Sequence, residues 1–431
     1  MKILITGAHG FIGGRLLVAL SNLGHELVCP VRTPRPAPEA SSRARFVPGD
    51  FTTMTRPEDW LPLLEGVDCA INTVGIFHAA APGDYERIHL RAPAALFEAA
   101  RAQGIRVIQF SALGADAEAR SEFHLSKRAA DELLRQADMP AFIVQPSLVY
   151  GKGGASARLF DRLAALPLLA LPAGGTQRIQ PVHIDDVVDG VVALLDAPAA
   201  GTLTVAFCGP RPITLRDYLA ALRTGLGLAG RQRILALPRA AARVLALAAG
   251  AFKGGLFDRD SLAMLERGNT ADPGPFARLL GRDPAPATAF IGRADRAGSR
   301  ALAVLDNAVP ALRLTIALVW LWTAAVSFGL YPVQDSLALL HRAGVPAALA
   351  PAALYGAASL DLVLGILTLA WRGHRACWLW LAQAGLMLGY TLVITMQLPE
   401  YWIHPFGPIT KNLPMLAALG LLYLHDSAAP D

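Results

Sequence analysis

The sequence predicts an α/β fold, a doubly wound parallel Rossmann sheet, followed by a four-helix transmembrane bundle. Three observations predict it. Short apolar runs alternate with helical patterns from Met1 to about Asp196, and such alternation implies a parallel sheet covered on both faces. A glycine-spaced turn, TGAHGFIG, joins the first apolar run to the first helical one. Beyond Leu312 long apolar stretches take over, and the whole chain is 53% hydrophobic and 17% charged, against roughly a quarter charged in typical soluble domains.

The strands read in order as KILIT, HELVCPV, CAINTV, RVIQFSA and AFIVQPS, with helices such as FIGGRLLVALSNLG and SKRAADELLRQA between them. Each run is apolar throughout, as a strand buried on both faces must be. Residues 198–293 are broken by glycine and proline into short helices and are expected to cap the sheet as a small substrate-side region. The nucleotide-binding domain is therefore expected over 1–293. An arginine-rich, small-residue linker is expected over 294–311 and the membrane domain over 312–431. Four apolar stretches lie in that last part, at 312–330, 351–370, 376–396 and 408–424. The first three approach or reach the roughly 20 residues that span a bilayer, and the fourth is shorter, with Lys411 and Asn412 near its start. Trp320, Trp322, Trp371, Trp378, Tyr401 and Trp402 stand at or near the ends of these stretches, where an aromatic belt is expected.

Charge and cysteine usage exclude other classes. The net charge of +5 comes mostly from dispersed arginine, with no dense basic run interleaved with aromatics, so nucleic acid is not an expected partner. Cys29, Cys69, Cys208 and Cys377 form no CxxC pair and read as small core residues. No metal-ligand cluster is expected. The opening MKILITGAHG has glycines where a signal peptide needs an unbroken apolar core, so no cleaved targeting segment is expected.

In the turn, Gly7 permits the tight bend, Gly10 lets the backbone approach a pyrophosphate, and Gly13 lets the helix pack on the sheet. The helix start, with Phe11 and Ile12, faces the phosphates. At the end of the second strand an NAD site usually carries an acid for the ribose hydroxyls. This chain has Val31 there and Arg32 next. An arginine with no competing carboxylate suits a 2′-phosphate, so NADP is favoured, with NAD the alternative.

The pieces TGAHGFIG, PGD at Asp50, INTVG, FSALGA, SK at Lys127, QPSLVYG and QPVHIDDVV occur in one order over the first two thirds of the chain. In this the sequence resembles the short-chain dehydrogenase/reductase superfamily, in its extended or atypical, epimerase/dehydratase-like branch. It is similar to the group that includes the Rossmann-type accessory subunit of respiratory complex I. The resemblance implies that Asp50 contacts the adenine and that Asn72, Thr73, Val74 and Gly75 line the cofactor cleft. It implies further that Ser111 takes the place of the catalytic serine and Lys127 binds the nicotinamide ribose, with Pro146 and Ser147 beside the nicotinamide. Asp185 and Asp186 read as helix-capping residues. The last quarter, through EYWIHPFGPITKNLPM above all, is similar to the DoxX-like family of small four-helix membrane proteins.

One departure stands in SEFHLSK. Working enzymes of the superfamily have a tyrosine where this chain has Phe123. General acid–base transfer contributes roughly 10²–10⁴-fold in rate, and phenylalanine has no proton to give. His124 lies about 100° further round the helix and is expected to face elsewhere. Asp361 falls within a span and is a functional candidate on that ground; Glu400 and His404 could face a quinone or heme at the membrane surface. Two functions follow as expectations. One is a membrane-anchored, NADP-preferring oxidoreductase for a lipid-borne or quinone-type acceptor, in the cytoplasmic (inner) membrane with the nucleotide domain facing the cytoplasm. The other is a non-catalytic dinucleotide-binding redox sensor or assembly module docked to a membrane protein complex.

Overall fold

The computed structural model describes residues 1–33, 43–238, 240–241, 259–405 and 407–428; part of the region expected to form short helices, at 242–258, lies outside these. The chain forms two compact units, Met1–Ala303 and Val304–Asp431.

The first unit is built on β1 (Lys2–Thr6), β2 (Glu26–Val31), β3 (Ala44–Pro48), β4 (Cys69–Asn72), β5 (Arg106–Phe110), β6 (Ala141–Pro146) and β7 (Thr202–Phe207). All pairings are parallel, in the order β7-β6-β5-β4-β1-β2-β3. Successive side chains of a strand point to opposite faces, and both faces are buried here. Ile3, Ile5, Ile71, Ile108 and Val144 meet Leu16, Leu20, Val187 and Val191 of helices α1 (Phe11–Asn22) and α4 (Ile184–Asp196) on one side. Leu4, Ala70, Val107 and Ile143 meet Leu96, Phe97, Ala130 and Leu134 of α2 (Ala92–Ala102) and α3 (Glu122–Gln136) on the other. This explains the unbroken apolar runs. The edge strands β3 and β7 are only half covered, and β7 falls within the stretch expected to form short helices, its TLTVAF forming a strand instead. After β3 the chain crosses back to place β4 on the far side of β1, so the crevice where ligands bind in such sheets opens between the ends of β1 and β4. Beyond β6 a second core around Tyr218, Leu219, Leu222 and Phe290 forms the expected small lobe.

The second unit holds most of α5 (Arg296–Ala325), then α6 (Ala350–Ala370), α7 (His374–Gln397) and α8 (Asn412–Ser427). Three helical stretches, Arg296–Leu330, Ala350–Ala370 and His374–Gln397, are long and apolar enough to cross a membrane; α8 has 16 residues. The segment expected as a linker is helical from Arg296 onward, in keeping with its alanines, leucines and arginines, all strong helix formers. Near one end of the bundle the buried Arg313 of α5 forms an ion pair with the buried Asp426 of α8. The Trp380 indole of α7 donates to the same carboxylate at 2.9 Å, and Arg313 donates to the Trp371 carbonyl at 2.8 Å, just past α6. The start of α7 thus meets the ends of α6 and α8, and α5 touches α7 at Arg313–Trp380 and then at Trp320–Gln383, running the same way, so the four alternate in direction. Trp320, expected in an interfacial belt, is 5% exposed and donates to Gln383 at 2.9 Å inside the bundle; Trp322, Trp371, Trp378 and Trp402 are exposed. Gln383 in turn donates to Thr368 at 2.8 Å, and polar bonding of this kind keeps an indole N–H satisfied away from water. Asp361 also faces the bundle interior, with its Oδ1 buried and unpartnered. Glu400 is ion-paired with Arg342, and the His404 ring stacks on Tyr401 with centroids 6.0 Å apart.

Candidate functional site

The C-terminal ends of the strands bring together most of the residues singled out from the sequence. Gly7 has φ +73°, and a Cβ there would meet Thr73 Oγ1 at 2.7 Å. A Cβ on Gly13 would lie 2.2 Å from the Gly7 carbonyl oxygen and 2.7 Å from Thr73 Oγ1. Only glycine fits at either position. The turn closes with Gly10 N–H donating to the Gly7 carbonyl at 2.8 Å. Helix α1 begins at Phe11 with no side-chain cap and no acid in its first turn. Its first N–H groups, those of Phe11, Ile12 and Gly13 among them, therefore face outward as donors at the positive end of the helix. That cradle fits the pyrophosphate of a nicotinamide dinucleotide.

Across the crevice Asn72 is fully buried. Its Oδ1 accepts from Thr6 Oγ1 at 2.6 Å and its Nδ2 donates to Gln109 at 2.7 Å, tying β1, β4 and β5 together. Thr73 donates to the Thr6 carbonyl at 2.7 Å. From α3, Lys127 reaches beneath this edge. Its Nζ donates to the Val74 carbonyl at 3.2 Å and the Phe110 carbonyl at 3.0 Å, and a Cβ on Gly75 would come within 3.0 Å of it. Burial lowers the Lys127 pKa from the usual 10.5 to about 8, against the pull of the Asp131 carboxylate.

Phe123 and His124, whose rings lie 5.3 Å apart, otherwise take different neighbours. Phe123 packs its ring against Phe77 (centroids 5.2 Å) and His89 (5.7 Å). His124 is buried and turns onto the loop after β5, so close that a Cβ on Gly114 would meet its ring at 3.0 Å. Burial and the nearby Arg267 charge lower its pKa. That loop is held from outside by Arg267, which donates to the Gly114 carbonyl at 2.8 Å and to both Asp116 oxygens at 2.5 Å.

Two buried groups went unmarked in the sequence. His89 Nε2 accepts from Ile76 N–H at 2.9 Å, so its proton sits on Nδ1 and is donated to Ser126 Oγ at 2.8 Å; Ser126 donates on to the Phe123 carbonyl at 2.9 Å. Burial, with the Lys127 charge second, drives the His89 pKa from 6.5 to about 3, so the ring is neutral. Asp131 is the other. It is completely buried, and Ser111 Oγ donates to its Oδ2 at 2.6 Å while its Oδ1 has no partner. Burial raises its pKa from 3.8 to about 6, opposed by the Ser111 and Gln145 hydrogen bonds and by the Arg135 and Lys127 charges. Its place four residues after Lys127, on the same helix face, was the signal available in the sequence.

The remaining residues are more dispersed in role. Ser147, next to Pro146 at the end of β6, donates to the Gln180 carbonyl at 2.5 Å. Arg32 is exposed just past β2. Asp50 is half-buried and accepts from the Thr52 N–H at 2.9 Å within its own turn. The cap of α4 is His183, accepting from Asp185 N–H at 3.3 Å. Asp186, read as a capping residue, is instead buried against Arg282 (2.5 Å) and Ala285 N–H (2.8 Å). A cleft of about 540 Å³ opens beside the site rather than over the glycine turn, between residues 79–83 and the start of α3, with Leu90, Leu125 and Ser126 in its wall.

Residues 3–206 match the model of the NAD dependent epimerase/dehydratase family, and residues 317–420 match that of the DoxX-like family. A ceramide reductase of Caulobacter vibrioides is 32% identical over 204 residues, which cover 47% of this chain and 63% of that protein. A 3-diazoavenalumate denitrifying reductase of a Streptomyces species is 31% identical over 245 residues, 49% of this chain and 78% of that protein. The mitochondrial NADH dehydrogenase (ubiquinone) 1 alpha subcomplex subunit 9 of Arabidopsis thaliana is 28% identical over 226 residues, 49% of this chain and 55% of that protein. The chain thus spans less than two thirds of the ceramide reductase and of the plant subunit. The solved structure of MoeE5 with UDP-glucuronic acid and NAD aligns at a TM-score of 0.51 and 19% identity, covering 66% of this chain and 94% of that one. That likeness is one of fold.

Proposed function

Because this chain belongs to the NAD-dependent epimerase/dehydratase family and carries a DoxX-like domain, we propose that it is a membrane-anchored nicotinamide-dependent reductase whose substrate is a carbonyl group borne by a lipid. The observation that carries the reading is Lys127, a buried ammonium held 3.0–3.2 Å from the ends of β4 and β5 beside Ser111, opposite an uncapped phosphate turn. Two carbonyls and the Asp131 charge offset that burial only in part, since the Lys127 pKa still falls. A ligand-binding lysine gains a fixed donor for the nicotinamide ribose. The ceramide reductase that shares this region supports a lipid substrate, as do the three helices long enough to cross a membrane. In this reading the cofactor, when bound, supplies hydride. Gly7, Gly10, Phe11, Ile12 and Gly13 hold its phosphates, the 72–75 loop, Asp50, Pro146 and Ser147 line its cleft, and Ser111 meets the substrate oxygen. Val31 and the exposed Arg32 favour NADP over NAD.

The protein sits in the cytoplasmic membrane with its nucleotide domain inside. Arg293, Arg296 and Arg300 stand just before or in the first turns of the first spanning stretch, and Arg372 and Arg375 stand between the second and third or in the first turn of the third; positive ends stay inside. Purified protein in detergent should carry or bind NADPH and oxidise it with long-chain keto lipids. Absence of dinucleotide binding would refute the reading.

Phe123 favours a second reading, a non-catalytic redox sensor or assembly module docking to a membrane complex. The resemblance sets it at the position of the family's phenol, its ring lies among Phe77, His89 and His124, and one relative is a subunit of NADH dehydrogenase. Tight NADPH binding with no oxidation by any keto lipid or quinone would select it.

A further inference from the structure

We propose that Asp131 and Ser111 together replace the missing tyrosine, the buried carboxyl storing the proton and the serine hydroxyl delivering it to the substrate oxygen. The inference rests on the reductase reading and adds the acid that reading lacks.

The geometry carries it. Ser111 follows β5 at the sheet edge where ligands bind, and its Oγ is 2.6 Å from Asp131 Oδ2. With Asp131 ionised, the serine's one proton points inward and none is left for a substrate. With Asp131 protonated, the carboxyl donates to Ser111 Oγ and the serine O–H is free to turn outward. A carboxylate with one oxygen fully buried and unpartnered bears the desolvation cost of charge without full hydrogen-bond compensation, so the site holds a proton more readily than a carboxyl in water does. The charged groups acting on it are Lys127 and Arg135 from its own helix, while Ser111 after β5 and Gln145 on β6 contribute neutral hydrogen bonds. Its pKa of about 6 leaves both forms accessible near neutrality, the condition for efficient proton transfer.

The step balances. The substrate carbonyl carbon gains the hydride that the cofactor supplies when bound, and the C=O π electrons pass to oxygen. That oxygen takes the Ser111 hydroxyl proton as Ser111 Oγ takes the Asp131 proton. The products are an alcohol, an intact serine and an Asp131 carboxylate, which regains a proton from water through Ser111 once the alcohol leaves. Phe123 takes no part.

Two measurements test this. In cofactor-free protein, infrared difference spectra of wild type against Asp131→Asn should show a protonated carboxyl that titrates near pH 6 and is lost in the variant. A carboxyl that stays ionised down to pH 5 overturns the proposal whatever the turnover. With NADPH and a keto lipid, Asp131→Asn should keep cofactor affinity but lose about 10²-fold or more in kcat. It should also lose the decline in kcat above pH 6 that wild type shows as Asp131 ionises. Ser111→Ala should give the same loss, and the double variant no further loss, as for groups acting as a unit. Wild-type turnover and pH profile in Asp131→Asn overturn the relay. A wild type that binds NADPH but reduces nothing sinks the reductase reading instead, and the infrared titration still decides the state of the pair.

Discussion

Arg313 and Asp426, 113 residues apart, form a buried ion pair that joins the first and last long helices of the membrane unit. Both side chains are nearly inaccessible, at 6% and 4% exposed, and Trp380 covers the guanidinium at 5.0 Å. Removing one partner strands the other charge. Asp426→Asn is expected to destabilise the unit by about 3–5 kcal/mol, read as a lowered unfolding midpoint in detergent. Arg313→Met with Asp426→Leu should recover most of that loss, because an apolar pair leaves no charge unpaired.

The same contact predicts topology. Arg313, where the apolar part of α5 begins, and Asp426, near the end of α8, share one end of the bundle, so reporters fused after Asp426 and before Arg296 should report the same side of the membrane. A reporter near Val333 should report the other. A C-terminus on the opposite side from Arg296 would show that α8 does not cross.

Arg32→Ala should weaken NADPH by about 10- to 100-fold, the worth of a hydrogen bond to a charged group, and leave NADH nearly unchanged. Isothermal titration with both cofactors decides this. Equal losses would remove Arg32 from the 2′-phosphate.

In an Asp131→Asn background, Phe123→Tyr should restore carbonyl reduction by about 10²-fold, since the ring already has the right shape and only an oxygen is added. NADPH oxidation over a panel of carbonyl compounds measures it. His124→Ala should change the rate little, because its ring faces Gly114; a collapse of activity in that variant would make His124 the acid.

Stability should show two opposed pH dependences. His89 has a folded pKa near 3 against the ordinary 6.5, so the unfolded chain binds more protons between those values and stability falls as pH drops through that window. Asp131 has a folded pKa near 6 against 3.8, so stability rises as pH drops between them. Wild type should therefore look flat between pH 6 and 4, whereas His89→Gln should grow more stable on acidification and Asp131→Asn less. Lys127→Met should raise the unfolding midpoint at pH 7 while impairing dinucleotide binding. Its advantage should shrink from pH 8 to 10.5, where the unfolded lysine still holds the proton that the folded one has released.

The legible parts of the fold were those where one physical demand acted alone. Strands β1, β2, β4, β5 and β6 are apolar on both faces because both faces are covered, and their sequences said so. Strands β3 and β7 lie at the edges, where mixed burial leaves mixed sequences such as ARFVP. In the site, the glycines stood out by their spacing and Lys127 through the resemblance. Asp131 and His89 did not, since a single acid or histidine in a helix looks like a solvated residue until the fold buries it. Trp320 misled for the same reason: an aromatic near a span end looks like an interface anchor, and only the position of Gln383 shows that it turns inward.

The close fit of Gly13, Gly7 and Thr73 reaches further than room for a pyrophosphate. The helix start rests on the Gly7 carbonyl and Thr73, Thr73 is bonded to Thr6, and the next carbonyl in the chain, that of Val74, receives the Lys127 ammonium. There is no slack along this path, because close-packed interiors transmit displacement rather than absorb it. The two ends of the cleft therefore share a single mechanical tolerance. Whatever settles on the phosphate turn bears on the floor beneath the lysine, and loosening either end is registered at the other within the length of one side chain.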